Sequence, residues 1–308
     1  MEAMPAQTAA TVLINASLAW IAGVLASRLW LLHQNAQWQK IAVERLSPAM
    51  ATGLLACAAG LFLSLWTESA AMGDVAWLDA WPAFTQMLGS THYGRAGAAA
   101  AALLAAAMLA HWRLRGAAAG LGYVGSITLL LLLVFAARVA IGHAYEHGPL
   151  SVAVLVEWLH LLFMSLWTGI VFAAGWLVLP HALAHEASPT RERAAYLGSM
   201  SRWATAALAG ILATGAYNAW RVLGSPRELI DADYGRVVLA KLCLVAAAMA
   251  LGSFNRFHGL PAALAPHAAP GKAQRALGTV IAVLRVESLV LLLVLAAAAL
   301  LTNSAPHG

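Results

Sequence analysis

The chain is poor in charge. Asp, Glu, Lys and Arg make up only 10% of its 308 residues, against about 25% in soluble domains. A water-soluble surface cannot be built from so few. Cysteine is scarcer still: Cys57 and Cys243 lie in separate apolar runs with no paired spacing, which excludes a disulfide framework and a CxxC metal or redox site. Both read as small buried hydrophobes. No Gly-rich phosphate loop, GxSxG, HExxH, CPC or DKTGT occurs, so neither ATP-driven pumping nor an enzyme activity has residues to carry it. A basic n-region is missing before the first apolar run, and that run is of spanning length, so no cleavable signal peptide is expected.

What the chain has is apolar length. Hydrophobic residues make up 62%, and the mean hydropathy is +0.76. Runs near the 20 or so residues that cross a bilayer recur eight times, at 9–32, 48–66, 94–112, 117–142, 151–179, 201–221, 235–255 and 279–301. The expected fold is all-α, a single polytopic transmembrane bundle over residues 1–308 with no soluble domain between spans. The pI near 9.6 and net charge of +5 need no nucleic acid, because cytoplasmic loops collect Lys and Arg. Lys40, Arg45, Arg113, Arg115, Arg191, Arg193, Arg202, Arg256, Lys272 and Arg275 follow the odd-numbered spans, whereas Glu68, Asp74, Asp79 and Glu146, with only Arg95 on the basic side, follow spans 2 and 4, and the connection after span 6 is mixed. That asymmetry predicts both termini on the outer, periplasmic side of a bacterial inner membrane.

One segment breaks the apolar rule. In EWLHLLFMSLWTG, Glu157, His160, Met164 and Trp167 recur at helical spacing, so one face of span 5 carries a carboxylate, an imidazole and a thioether. Ionisable groups in a span cost about 2.5 to 3.5 kcal/mol each, so they face a cavity, a partner or the bundle interior. Imidazole and thioether together suit copper, above all Cu(I). A packing cluster, with Glu157 paired to an Arg and Met164 as core filler, accounts for the same residues.

Other histidines sort by side. GHAYEHG places His143 and His147 four apart beside Glu146 on the outer face, where a helical turn would let both reach one metal. A solvated loop explains the pair equally simply. His92 and Met87 belong to the same face. His181 and His185 repeat the spacing at the inner end of span 5, as an exit site or as a polar helix end. Of the remaining charges, Arg138 and Lys241 lie near outer ends, close enough to snorkel. Glu287 is deeper and is expected to pair with Arg285 or with His160.

In order and spacing, these landmarks resemble the CopD family of bacterial copper-resistance membrane proteins. The residues that carry the likeness are STHYGR at 90–95, GHA at 142–144, LHLLFMSLWTG at 159–169 and TG followed by YN at 214–218. Further along come YGR with Lys241, NR at 255–256 and LRVES at 284–288. The resemblance implies eight spans, copper handling, and a periplasmic copper-binding partner of CopC type, of which no fused copy is present here. It puts His143 and His160 at the family's recurring histidines and Trp167 and Gly169 at its W-x-G. The family often has an aspartate where this chain has Glu157, which keeps the charge but alters its reach. His147 and Met87 rest on the residues alone.

The expected function is copper transport or copper resistance, taking Cu(I) or Cu(II) from the periplasmic side through His and Met ligands and passing it inward. An accessory protein for copper-oxidase assembly would use the same ligand chemistry. A b-type haem electron carrier would need two intramembrane histidines at matching depth, and only His160 lies clearly within a span.

Overall fold

The computed structural model describes residues 3–115, 120–142, 145, 148–185, 190–222, 233–265 and 271–303. All eight apolar segments contain helix, most of them running beyond the expected bounds, whereas the helix of the fourth covers 121–140 of the expected 117–142. In chain order the helices are α1 (Ala3–Trp30), α2 (Gln37–Met72), α3 (Trp81–Ser90), α4 (His92–Leu114), α5 (Leu121–Ala140) and α6 (Val152–Phe172). They continue with α7 (Leu179–His185), α8 (Arg191–Val222), α9 (Asp233–Phe254) and α10 (Lys272–Asn303). No strand occurs among the described residues.

Local chemistry sets the ends. The Thr91 side chain accepts from the Gly94 amide at 2.9 Å, and Ser151 accepts from Val154 at 3.3 Å, so each hydroxyl caps the first turn of its helix. The short α3 lies in what reads from sequence as a loop. It buries Phe84 and Met87, and its Trp81 and Phe84 stack beside Trp66 of α2.

Two π-helical stretches interrupt the spans, Ala173–Val178 after α6 and Asn255–Gly259 after α9. A π turn leaves backbone carbonyls without their helical partner. Arg285 of α10 answers one of them, its Nε donating to the Gly175 carbonyl at 3.1 Å while its guanidinium lies over the Trp176 ring.

Among the described residues, seven helical stretches are long and apolar enough to cross a membrane: Pro5–Trp30, Gln37–Met72, His92–Leu114, Leu121–Ala140, Val152–His185, Gly235–Ala263 and Lys272–Thr302. The eighth expected span, α8, is not one of them. Its 32 residues extend about 48 Å at 1.5 Å each, so length is ample. Composition is what separates it, with Arg202, Thr205, Thr214, Asn218 and Arg221 among its alanines.

Packing is governed by small residues. Where α1 crosses α6, a Cβ built on Gly23 would lie inside the backbone of Gly169, and one on Gly169 would strike Ala19. Such contact between backbones holds helices together where lipid removes the hydrophobic drive. On the other flank of α6 runs α8, antiparallel: Phe163 fills the space beside Gly210, His160 meets Thr214, and Glu157 meets Asn218. The two helices therefore occupy the same depth. The least covered of the seven spans is the one containing α9, which packs mainly on α10.

Candidate functional site

The site grows from the α6–α8 seam. Thr214 is buried, and its hydroxyl donates to the Gly210 carbonyl one turn earlier at 2.6 Å. With that proton committed, Thr214 Oγ1 can only accept from His160 Nδ1, 2.8 Å away. The imidazole therefore carries its proton on Nδ1 and turns a lone pair outward at Nε2. Among the described residues, Nε2 has no hydrogen-bond partner. A Cβ at Gly215 would sit 3.4 Å from His160 Cε1, so the residue after Thr214 is one that leaves the ring room.

One turn toward the outer end, Asn218 Nδ2 donates to Glu157 Oε2 at 2.8 Å. Arg138 of α5 and Lys241 of α9 both stand within electrostatic range of that carboxylate. Arg138 Nε is buried.

The lower half of the stripe faces elsewhere. Met164 is buried in the core, and Trp167 lies beside the buried Glu287 of α10. At 100° per residue, Glu157 and Trp167 differ by roughly 80° of arc, enough for the neighbour to change from α8 to α10 with depth. Glu287 thus pairs with neither Arg285 nor His160. Arg285 is held by Gly175, and Ser288 accepts from Trp176 Nε1 at 3.0 Å, so LRVES braces the π turn rather than the imidazole.

The outer residues do not join this seam. Met87 is buried beneath Gly94, against whose added Cβ its carbonyl would clash, and serves the α3–α4 junction. His92 is exposed, with Nε2 3.0 Å from the Ala140 carbonyl and its ring stacked on Tyr145 at 4.5 Å. His143 and His147 lie outside the described residues. At the opposite end, His185 Nδ1 turns back to the His181 carbonyl at 2.9 Å, and the two rings are 6.4 Å apart. Among the described residues, no three His, Cys, Asp or Glu side chains cluster closely enough to hold a metal.

Thr214 and Asn218 are the residues that reading by charge passes over. Their signal is the TG…YN pattern, whose spacing of four puts both on one helical face. That pattern falls within residues 194–301, which match the family model for copper resistance protein D. Over this segment, about a third of its length, the chain is similar to the CopD family. CopD is a family of copper-resistance membrane proteins, and seven apolar spanning helices agree with a multi-pass inner-membrane protein. No curated protein and no solved structure matches the chain. The matched segment comprises most of α8, α9 and nearly all of α10, and so supplies Thr214, Asn218, Lys241, Arg285 and Glu287. His160 and Glu157 lie outside it, on the helix it grips.

Proposed function

We propose that this chain carries copper across the inner membrane, accepting it from the periplasmic face and releasing it inward, with copper as cargo rather than as a resident cofactor. The observation that carries this reading is the His160–Thr214 bond. It sets the tautomer of an intramembrane imidazole so that Nε2 is the free donor, the arrangement of histidines that ligate metals.

Met164, one turn below His160 on the same helix and buried in the core, supplies a soft thioether further along the path, which suits Cu(I). Glu157, held by Asn218 among cations, gives the path a negative charge that offsets the ion's in low dielectric. His92, His143 and His147 form the outer receiving group in this reading, and a periplasmic carrier of CopC type delivers to it. Passage follows ligand exchange, each site binding well enough to accept the ion and weakly enough to release it.

The same reading takes α8 as the eighth span, because it runs antiparallel to α6 through shared depth, and so places both termini in the periplasm. The test is cellular copper accumulation with wild type and His160→Ala at matched expression. Accumulation should fall to the level of cells without the protein. Equal accumulation in both strains overturns the role of His160.

A further inference from the structure

A cleft lies away from His160, at the arginine-rich end of the bundle. It occupies about 480 Å³ between the first half of α8 and the π turn after α9, lined among others by Gly198, Ser201, Arg202, Arg256, Phe257 and Leu260. Two cations thus border one cleft. Among the described residues its lining holds no carboxylate.

Arg256 is preorganised there. Its Nη1 donates to the Ser201 hydroxyl at 2.8 Å, to the Thr205 hydroxyl at 2.8 Å and to the Ser201 carbonyl at 3.3 Å. Those contacts fix the guanidinium through one nitrogen. The opposite edge, Nε with Nη2, has no partner among the described residues, and that edge is the fork that grips two oxygens of a phosphate or carboxylate. Arg202 is barely held, with one 3.4 Å contact from Nη2 to Ser199.

Depth and shape narrow the occupant. Arg256 lies seven residues before the end of the spanning stretch Gly235–Ala263, about 10 Å along the axis. Trp203, Phe254 and Phe257 are exposed around it, the aromatic girdle of a membrane interface. A Cβ on Gly198 would meet nothing within 4 Å, so the floor is open. The adjoining face of α9 is apolar and largely uncovered, a surface on which an acyl chain can lie.

We propose that this cleft binds an anionic phospholipid, its phosphodiester gripped by Arg256 and Arg202 and one acyl chain lying along α9. A zwitterionic headgroup brings an ammonium to the same two guanidiniums and is disfavoured. A free phosphate has the charge but leaves the apolar part of the cleft unfilled.

The test is lipid retention by the purified full chain in detergent, read by native mass spectrometry with phosphatidylglycerol, phosphatidylcholine or inorganic phosphate added. Phosphatidylglycerol should be retained at least about fivefold more strongly than phosphatidylcholine, and Arg202→Gln and Arg256→Gln should each weaken it about fivefold. Gly198→Leu fills the cleft while keeping both arginines and should reduce retention to a similar extent. If Arg256→Gln fails to fold, Arg202→Gln and Gly198→Leu decide the matter. Equal retention of the two lipids, undiminished retention in Gly198→Leu or Arg202→Gln, or displacement by inorganic phosphate overturns the proposal.

Discussion

His160 and Thr214 are joined at 2.8 Å across the α6–α8 seam, and because the Thr214 hydroxyl already donates to Gly210, the bond runs from imidazole to hydroxyl. A side chain on one helix thereby decides which nitrogen of another is free to bind.

Thr214→Val keeps the shape and removes that acceptor. Initial copper uptake should fall about tenfold, the usual cost of losing a partner that orients a ligand histidine, while Thr214→Ser retains activity. Uptake by Thr214→Val equal to wild type, at equal expression, would mean that the tautomer is set by something else.

Glu287 is buried in the core beside the Trp167 indole. Glu287→Leu removes the polar group that the indole N–H faces, at a cost of about 1 kcal/mol. Thermal unfolding in detergent should show a clear drop for Leu and a much smaller one for Gln, which still offers an oxygen.

The α1–α6 crossing has no room at Gly169. Gly169→Val should prevent accumulation of folded protein, since the intruding atoms would meet backbone rather than a side chain that can move. Gly198→Ala, in open space on α8, should be neutral or stabilise by up to about 1 kcal/mol. Comparing folded yields after size-exclusion chromatography separates the two.

At the arginine-rich end, Arg28 lies over the Tyr123 ring at 4.7 Å, and the Tyr123 hydroxyl is 2.8 Å from His111 Nδ1. Tyr123→Phe keeps the ring under Arg28 and removes only the hydroxyl, so it should cost about 1 kcal/mol. A loss as large as that of Tyr123→Ala would assign the stability to the hydroxyl instead.

Topology can be tested with reporters active only in the periplasm. Fusions after Ala80 and at the C-terminus should be active, and one after Arg115 inactive. An inactive C-terminal fusion would mean that α8 does not cross.

Much of this architecture is legible without coordinates, for a physical reason. Lipid leaves no water to satisfy backbone groups, so a long apolar run must be a helix, and all eight runs are helical. The stripe on α6 is legible too, because helical spacing is fixed. Hydropathy misses α3, whose ten residues are too short to register. It also understates α8, where Thr214 and Asn218 depress the average while facing α6 rather than lipid.

Partner choice is what sequence leaves open. The chain by itself determined that Glu157, His160, Met164 and Trp167 share a helical face, and that charges this deep in apolar sequence require partners. Only the tertiary structure decided which partners those are: Asn218 and Thr214 for the upper pair, and the core for Met164 and Trp167. Periodicity is a property of one helix. Partnership depends on which neighbour lies alongside at each depth, and contacts between backbones such as Gly23 with Gly169, far from any charge, set that order.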